Sequence, residues 1–303
     1  MQEILIRAGS FVAIIVLGYV LRKVNFFHEG DFKILSKIVL KITLPAAIVS
    51  SFANKEVEVG MLAISLIGLG GGVLYMLLAY ILNLKSSREK RAFDVLNSSG
   101  YNIGNFTMPF VQSFLGPVGV ITTSLFDTGN AFVCLGGAYS VASLVKGEGG
   151  GFPVKRIAKT LFRSLPFDCY LIMVTLSLLH VPVPEPVTSF AGIVGNANAF
   201  MAMLMIGVGF KLSGNREQLG TVARILGVRY GIAVIMAVGC FCLLPLPLEM
   251  RQAIAILAFS PIASAAPAYT EQLDGDVGLA SAVNSFSIVI SIICIVVVLS
   301  VVL

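Results

Sequence analysis

The sequence predicts an all-α integral membrane protein with ten transmembrane helices, and three observations lead to this fold class. Of its 303 residues, 57% are hydrophobic and only 12% are charged, whereas soluble domains carry roughly 25% charged residues. The apolar residues are gathered into stretches of the length that a bilayer requires. Similar Pro-containing polar segments occur in both halves of the chain. Because charges are costly in hydrocarbon, this composition indicates a chain surrounded by lipid.

Ten stretches have the length and apolar character of transmembrane helices, and we number them spans 1 to 10. They cover residues 4–22, 33–53, 60–84, 92–115, 117–145, 165–181, 187–211, 221–246, 251–272 and 277–302. Span 1 is not expected to be a cleaved signal peptide, because Arg22 and Lys23 follow its apolar run and do not precede it.

The distribution of basic residues predicts the orientation in the membrane. When the loops are counted by side, eighteen of the 21 Lys and Arg residues fall on one side, Arg229 among them. Only Arg7, Lys55 and Arg251 fall on the other. Because Lys and Arg are enriched in cytoplasmic loops, we expect a multi-pass protein of the cell (inner) membrane with both termini outside the cytoplasm.

A weak internal repeat relates the two halves of the chain. Arg91 and Arg251 begin spans 4 and 9, and Pro109 and Pro267 lie at nearly the same offset within them. Five spans in each half make the halves inverted relative to each other in the membrane. Inverted repeats whose matching helices are interrupted by Pro or Gly indicate the binding site of a secondary transporter.

The repeat also predicts the domain organisation. We expect one transmembrane domain over residues 1–303. Residues 1–145 form its first inverted repeat, residues 146–157 a cytoplasmic linker, and residues 158–303 its second inverted repeat.

The polar segments of spans 4 and 9 are the predicted substrate site. Gly, Asn and Pro disfavour a continuous helix there, and irregular backbone at this depth is tolerated only beside protein or a watery cavity. Two broken helices that cross would direct half-helix N-termini at one point, which suits a carboxylate. The predicted substrate-binding residues are Tyr101, Asn102, Gly104, Asn105, Pro109, Ser264 and Pro267. The alternative is a pair of kinked helices whose polar groups only repair the kinks.

Span 5 carries a polar stripe on one helical face, made of Thr123, Asp127, Asn130 and Cys134. A carboxylate within a membrane span is a functional hypothesis by default. We therefore predict that Asp127, with Asn130, couples transport to a cation, either a proton or sodium. The alternatives are a structural Asp127 that is hydrogen-bonded to a neighbouring helix, and uncoupled transport. Span 10 repeats the stripe in neutral form, with Asn284 in the place of Asp127.

Other residues indicate no chemistry. The five cysteines lie in apolar stretches, which predicts buried thiols with neither disulfides nor a metal site. Asp94 is expected to pair with Arg91 at the membrane interface. No nucleophile, metalloprotease or P-loop motif occurs in the sequence. We therefore expect no enzyme, no cofactor and no nucleic-acid partner.

The string Gly-Tyr-Asn-Ile-Gly-Asn-x-x-x-Pro at 100–109, followed by Phe-Asp-x-Gly-Asn at 126–130, resembles the auxin efflux carrier family. The resemblance implies a fold like that of bacterial sodium/proton antiporters and bile acid transporters, in which broken spans 4 and 9 cross. It also implies elevator-type movement and transport of malate, malonate or related carboxylates. Phe200 stands where the family often has Pro.

These expectations combine into one functional prediction. We expect a secondary active transporter, or permease, of a small organic anion such as a mono- or dicarboxylate, coupled to a proton or to sodium. The alternatives are a membrane sensor or receptor on the same fold, and an uncoupled uniporter. The lipid bilayer surrounds the chain, and a homodimer is left open.

Overall fold

The computed structural model describes residues 2–28, 30–53, 55–148, 154–210 and 218–303, and every regular element in these ranges is helical. The α-helices are α1 (Gln2–Lys23), α2 (Asp31–Ile38), α3 (Leu44–Phe52), α4 (Ala63–Leu82), α5 (Arg88–Ser98), α6 (Met108–Phe132), α7 (Ala138–Lys146), α8 (Val154–Leu161), α9 (Leu165–Leu178), α10 (Glu185–Asn196), α11 (Asn198–Gly209), α12 (Leu219–Leu243), α13 (Leu248–Ala258), α14 (Ala266–Gln272) and α15 (Val277–Val302). Three π-helical segments, Val39–Thr43, Ile103–Thr107 and Val133–Gly137, join α2 to α3, precede α6 and join α6 to α7. A 3₁₀ turn at Val59–Leu62 precedes α4.

Six helical runs in the described residues are long and apolar enough to cross a bilayer. They are Leu5–Lys23, Val59–Leu82, Arg88–Lys146, Glu185–Gly209, Leu219–Leu243 and Val277–Val302. The pair α8 and α9, bent by 78° at their junction, makes a seventh when it is taken as one span. Large apolar side chains such as Leu243 and Ile193 are mostly exposed on the outer surface of the molecule, where lipid is the favourable environment. The chain is therefore a multi-pass membrane protein.

The difference from ten predicted spans has physical reasons. Helices α2 and α3 have only eight and nine residues and are separated by a π-helical segment. The run Arg88–Lys146 has 59 residues, which would be about 90 Å of straight helix, far more than one bilayer crossing. It turns at Gly116, where φ is 55°, and α5 packs against α7. Helices α13 and α14 are short because residues 259–265 are not helical. The ten-span inverted repeat and the two-repeat domain division stay predictions.

The predicted linker at 146–157 is described only in part. Helix α7 ends at Lys146, and Gly147 terminates it with φ of 92°, a left-handed conformation that glycine adopts without strain. Residues 149–153 lie outside the described residues, and α8 begins at Val154.

The helices pack into two groups. The first group contains α1, α2, α3, α9, α10 and α11, with α1 against α11 and α3 against both α9 and α10. The second group contains α4, α5, α6, α7, α8, α12, α13, α14 and α15, with α4 against α6, α8 against α6 and the π-helical segment at 133–137, and α12 against α13. Contacts of α6 with α3, α9 and α11 join the two groups.

Within each group, glycines allow the backbones of neighbouring helices to touch. A Cβ atom on Gly18 of α1 would lie 3.1 Å from the Cα atom of Gly207 on α11. A Cβ atom on Gly129 of α6 would collide with the carbonyl oxygen of Ser65 on α4. Such close approach is possible only without a side chain, so these glycines set the spacing of α1–α11 and α4–α6.

Asp94 does not form the predicted pair with Arg91. Its Oδ2 atom lies 2.7 Å from Nη2 of Arg224 on α12, and Asp94 is buried. Arg91 instead donates to the carbonyl oxygens of Asn83 at 3.1 Å and Leu84 at 2.6 Å, just beyond α4. The packing of α12 against α5 brings a cation from a distant part of the sequence to Asp94, and this tertiary contact replaces the local pair.

Candidate substrate-binding site

The irregular segments of spans 4 and 9 lie against each other. Residues 99–102 separate α5 from the π-helical segment at 103–107, and residues 259–265 separate α13 from α14. The Asn102 N–H donates to the Pro261 carbonyl oxygen at 2.8 Å, and the Thr107 hydroxyl donates to Ser260 Oγ at 2.7 Å. We call these segments the first and second breaks.

Side chains from neighbouring helices hold the backbone of each break. The Asn130 amide of α6 accepts from Tyr101 N–H and donates to Tyr101 C=O, both at 2.9 Å. In the second break, Ser287 Oγ accepts from Ile262 N–H at 3.2 Å, and Asn284 Nδ2 donates to Ile262 C=O at 3.1 Å. These bonds satisfy backbone groups that helical hydrogen bonding leaves unpaired at the breaks.

Arg229 of α12 binds both breaks and is not the loop residue that the count of basic residues assumed. It is 1% exposed. Its guanidinium donates to Gly100 C=O at 2.8 Å and to Ser260 C=O at 3.1 Å, and it also bonds to Ser98 C=O. These carbonyls follow the C-terminal ends of α5 and α13, where the helix dipoles are negative. The excess of basic residues on one side remains without Arg229, and the orientation of the termini stays a prediction.

Two tyrosine rings complete the surroundings of Arg229. Its guanidinium carbon lies 4.6 Å from the ring centre of Tyr75 and 5.2 Å from that of Tyr101. Both distances are within the range of cation–π attraction. The buried charge is thus surrounded by carbonyl oxygens and aromatic faces.

A cavity of about 200 Å³ lies beside the first break, between the two helix groups. All three π-helical segments contribute to its wall, through Leu40, Gly104 and Leu135. Segments of this kind are frequent at functional sites. The predicted site residues that line the cavity are Tyr101, Asn102, Gly104, Asn105, Asp127, Asn130 and Ser264.

Pro109 and Pro267 do not line this cavity. Both lie in the first turn of a helix, α6 and α14 respectively. Proline suits the start of a helix because it lacks the N–H that would be unpaired there. Pro267 begins the helix that follows the second break, whereas Pro109 marks the change from the π-helical segment at 103–107 to α6.

Asp127 is the charged side chain among the described residues of the cavity wall. Its Oδ1 atom accepts from Asn130 Nδ2 at 2.8 Å, and its Oδ2 atom accepts from the Tyr170 hydroxyl at 3.0 Å. Tyr170 belongs to α9 of the first group, so this bond joins the two groups. Sequence reasoning missed Tyr170, because a tyrosine in an apolar span is ordinarily a membrane-interface residue.

The start of the helix at Ile103 faces the same cavity. Ile103, Gly104 and Asn105 line it, and the first N–H groups of a helix have no partner within the helix. The Asn105 Oδ1 atom is buried and has no hydrogen-bond partner among the described residues. The arrangement offers an anion several backbone donors, and the Asn105 Oδ1 atom can accept a hydrogen bond from a donor group of a ligand. The described residues contain no group of three metal-ligating side chains.

Span 7 is interrupted only at Ala197, between α10 and α11, and it lacks the proline that the resembled family often has. Asn198 at the start of α11 is fully buried and accepts from the Thr43 hydroxyl at 3.0 Å. It also donates to Gln112 Oε1 on α6 at 3.2 Å, a second polar link between the two groups. Phe200 is 47% exposed and lies outside the cavity wall, so the substitution does not alter the pocket.

Residues 10–147 match the family model described as "Membrane transport protein". The resemblance to the auxin efflux carrier family is confirmed. The chain is also 24% identical, over 297 residues, to an "Uncharacterized transporter" of Methanothermobacter thermautotrophicus, with 94% of this chain and 93% of that protein covered. Both similarities support a membrane transporter, and the auxin efflux carrier match includes the first break, Asn105 and Asp127.

Proposed function

We propose that this protein is a secondary transporter of a small organic anion, a mono- or dicarboxylate, which binds in the cavity beside the first break. The observation that carries the proposal is the helix start at Ile103–Asn105 within that cavity. Its N–H groups and positive dipole end favour an anion. At about 200 Å³, the cavity is smaller than the 300 Å³ or more of drug-sized ligand sites, which favours a small substrate.

Asp127 gives the proposal its coupling mechanism. An anionic substrate and an ionised Asp127 repel each other in the same cavity, so the anion binds best when Asp127 carries a proton. By linkage, substrate binding then favours proton uptake to the same extent, and the two travel together. The Tyr170 hydroxyl suits both states, because it donates to an ionised carboxylate and accepts from a protonated one. Sodium bound at Asp127 is the alternative coupling ion.

The position of the cavity supports an elevator-type movement. Its wall combines Leu44 and Tyr170 of the first group with Asn105, Asp127 and Ser264 of the second. A displacement of the second group along the first carries the cavity from one side of the membrane to the other. Side chains hydrogen-bond to the backbone of both breaks in a similar way, Asn130 in the first and Asn284 with Ser287 in the second. This similarity supports the ten-span inverted repeat that such movement uses.

Uptake of radiolabelled malonate and malate into proteoliposomes tests the proposal. We expect the labelled substrate to accumulate inside the liposomes when protons flow inward down their gradient. We also expect Asn105→Ala to weaken binding of these substrates. Asn196→Ala is the matched control, because Asn196 is exposed and does not line the cavity. Equal loss in both variants, or none in either, would place the binding site elsewhere. Binding without flux would favour the sensor alternative.

The pH dependence of binding tests the coupling. In the wild-type protein, malonate affinity should rise as the pH falls, because protonation of Asp127 removes the repulsion. Asp127→Asn imitates the neutral state, so its affinity should be independent of pH. It should exchange malonate without accumulating it along a pH gradient. Asp168→Asn, which lies outside the cavity wall, should behave like the wild type. Full gradient-driven accumulation by Asp127→Asn would leave Asp127 only a structural role, whereas accumulation that requires a sodium gradient would identify sodium as the coupling ion.

A further inference from the structure

A second cavity of about 230 Å³ lies next to the proposed substrate cavity. Its wall comes from α7, α8, α14 and the end of the π-helical segment at 133–137. Helix α8 is strongly amphipathic, with Ile157 and Leu161 buried and both Lys155 and Arg156 exposed. Ile157 packs over Gly136. This packing turns Arg156 toward the cavity.

The wall of the second cavity has the chemistry of an anion site. Arg156 is its charged side chain among the described residues. The Arg156 guanidinium lies 5.6 Å from the ring centre of Tyr139, and the rings of Tyr139 and Tyr269 are 5.4 Å apart. Both tyrosines line the cavity, and neither hydroxyl forms a hydrogen bond to a described residue. A guanidinium and two phenol donors suit a carboxylate, which arginine binds with two parallel hydrogen bonds.

Leu135 lies between the two cavities and belongs to the wall of both. The backbone there is not helical, since Leu135 has φ of −95° and ψ of 20°, and Gly136 has φ of 145°. Only glycine adopts the latter conformation readily. A short irregular segment with such a glycine can move one side chain without displacing the helices on either side.

We propose that the cavity around Arg156, Tyr139 and Tyr269 is an entry site, where the carboxylate substrate binds before it passes Leu135 into the substrate cavity. This inference rests on the proposed function for the identity of its ligand. Arg156 attracts the anion and holds its carboxylate, and Tyr139 and Tyr269 donate to the same group. Arg156 is a specificity-determining residue on the side of the membrane where α8 lies.

The first test measures the electrostatic field of the cavity without any need for transport. A cysteine at Gln272, which lines the cavity, is introduced into a variant without the five native cysteines. Its reaction rates with an anionic sulfonatoethyl methanethiosulfonate and with neutral methyl methanethiosulfonate are compared. The ratio of anionic to neutral rate should fall about tenfold with Arg156→Gln, the lower end of the range for charged clefts. Lys155→Gln, on the same helix but outside the cavity wall, should leave the ratio unchanged.

Two further arms identify the ligand. Malonate should protect the cysteine from the neutral reagent in zwitterionic liposomes, and Arg156→Gln should remove this protection. Protection by phosphatidylglycerol but not by malonate would show a lipid headgroup site and would overturn the proposal.

In transport assays from the α8 side, Arg156→Gln should raise KM about tenfold with kcat unchanged. An unchanged labelling ratio refutes the entry site even where malonate is transported. A tenfold fall in the ratio without any malonate transport refutes the proposed function alone.

Discussion

Replacement of Arg229 is the sharpest test of how the two breaks are held together. Arg229→Met keeps the length of the side chain and removes its charge. The side chain forms four hydrogen bonds to carbonyls in the breaks or at the end of α5, and it lies over two tyrosine rings. Hydrogen bonds to charged groups contribute about 1.5–3 kcal/mol each, and cation–π contacts contribute on the order of 1 kcal/mol each. Burial of the charge costs several kcal/mol in return.

The expected net loss for Arg229→Met is about 3–5 kcal/mol, as for the removal of one partner of a buried ionic contact. For a chain of this length it corresponds to a fall in Tm of about 5–8 °C, measured by thermal unfolding in detergent. Arg229→Lys should lie between this variant and the wild type, because an ammonium keeps the charge but reaches fewer carbonyls. Arg88→Met, at an exposed position, is the matched control. A Tm of Arg229→Met within about 1 °C of the wild type would refute the reasoning. A Tm of Arg229→Lys below that of Arg229→Met would refute it as well.

The remaining predictions concern packing, residues of span 7 and topology. Asn198→Ala leaves the buried Thr43 hydroxyl without its partner, which costs about 1–3 kcal/mol, and its Tm in detergent should fall by a few degrees; an unchanged Tm would contradict the importance of this hydrogen bond. Gly129→Val should prevent stable folding, because even a Cβ atom collides with the backbone of α4; a monodisperse, transport-competent variant in size-exclusion chromatography would argue against that contact. Phe200→Ala should leave malonate affinity unchanged, and weaker binding would extend the pocket to α11. An impermeant thiol reagent should label Lys55→Cys but not Lys90→Cys from outside intact cells, and the opposite pattern would invert the predicted orientation.

The helical architecture and the place of the cavity follow from local sequence signals. Apolar runs predict helices because lipid requires every backbone group to be paired within the segment. The Gly- and Asn-rich string before Pro109 predicts an interruption, and Asn105 and Asp127 beside it line the cavity. These signals depend on neighbouring residues, so a single sequence contains them.

The residues that sequence reasoning missed depend on contacts between distant segments. From the sequence alone, Arg229 is counted with the basic residues of the loops. Only the packing of α12 against α5 and α13 shows that it binds carbonyls. Tyr170 and Gln112 likewise acquire their meaning from α6 and α11, far away in the sequence. Pro109 is the opposite case: its predicted effect on the backbone is local, and it does not line the cavity.

The glycine contacts have a consequence for how the two helix groups are fastened. Within each group, pairs such as Gly18 with Gly207 meet backbone to backbone, and no solvent molecule or ligand can replace such a contact. Between the groups, the polar links include the side-chain hydrogen bonds of Tyr170 to Asp127 and of Asn198 to Gln112. Water or a substrate can exchange with a hydrogen bond at little cost. The helix contacts inside each group are therefore permanent. The contacts between the groups can open and close again in every transport cycle.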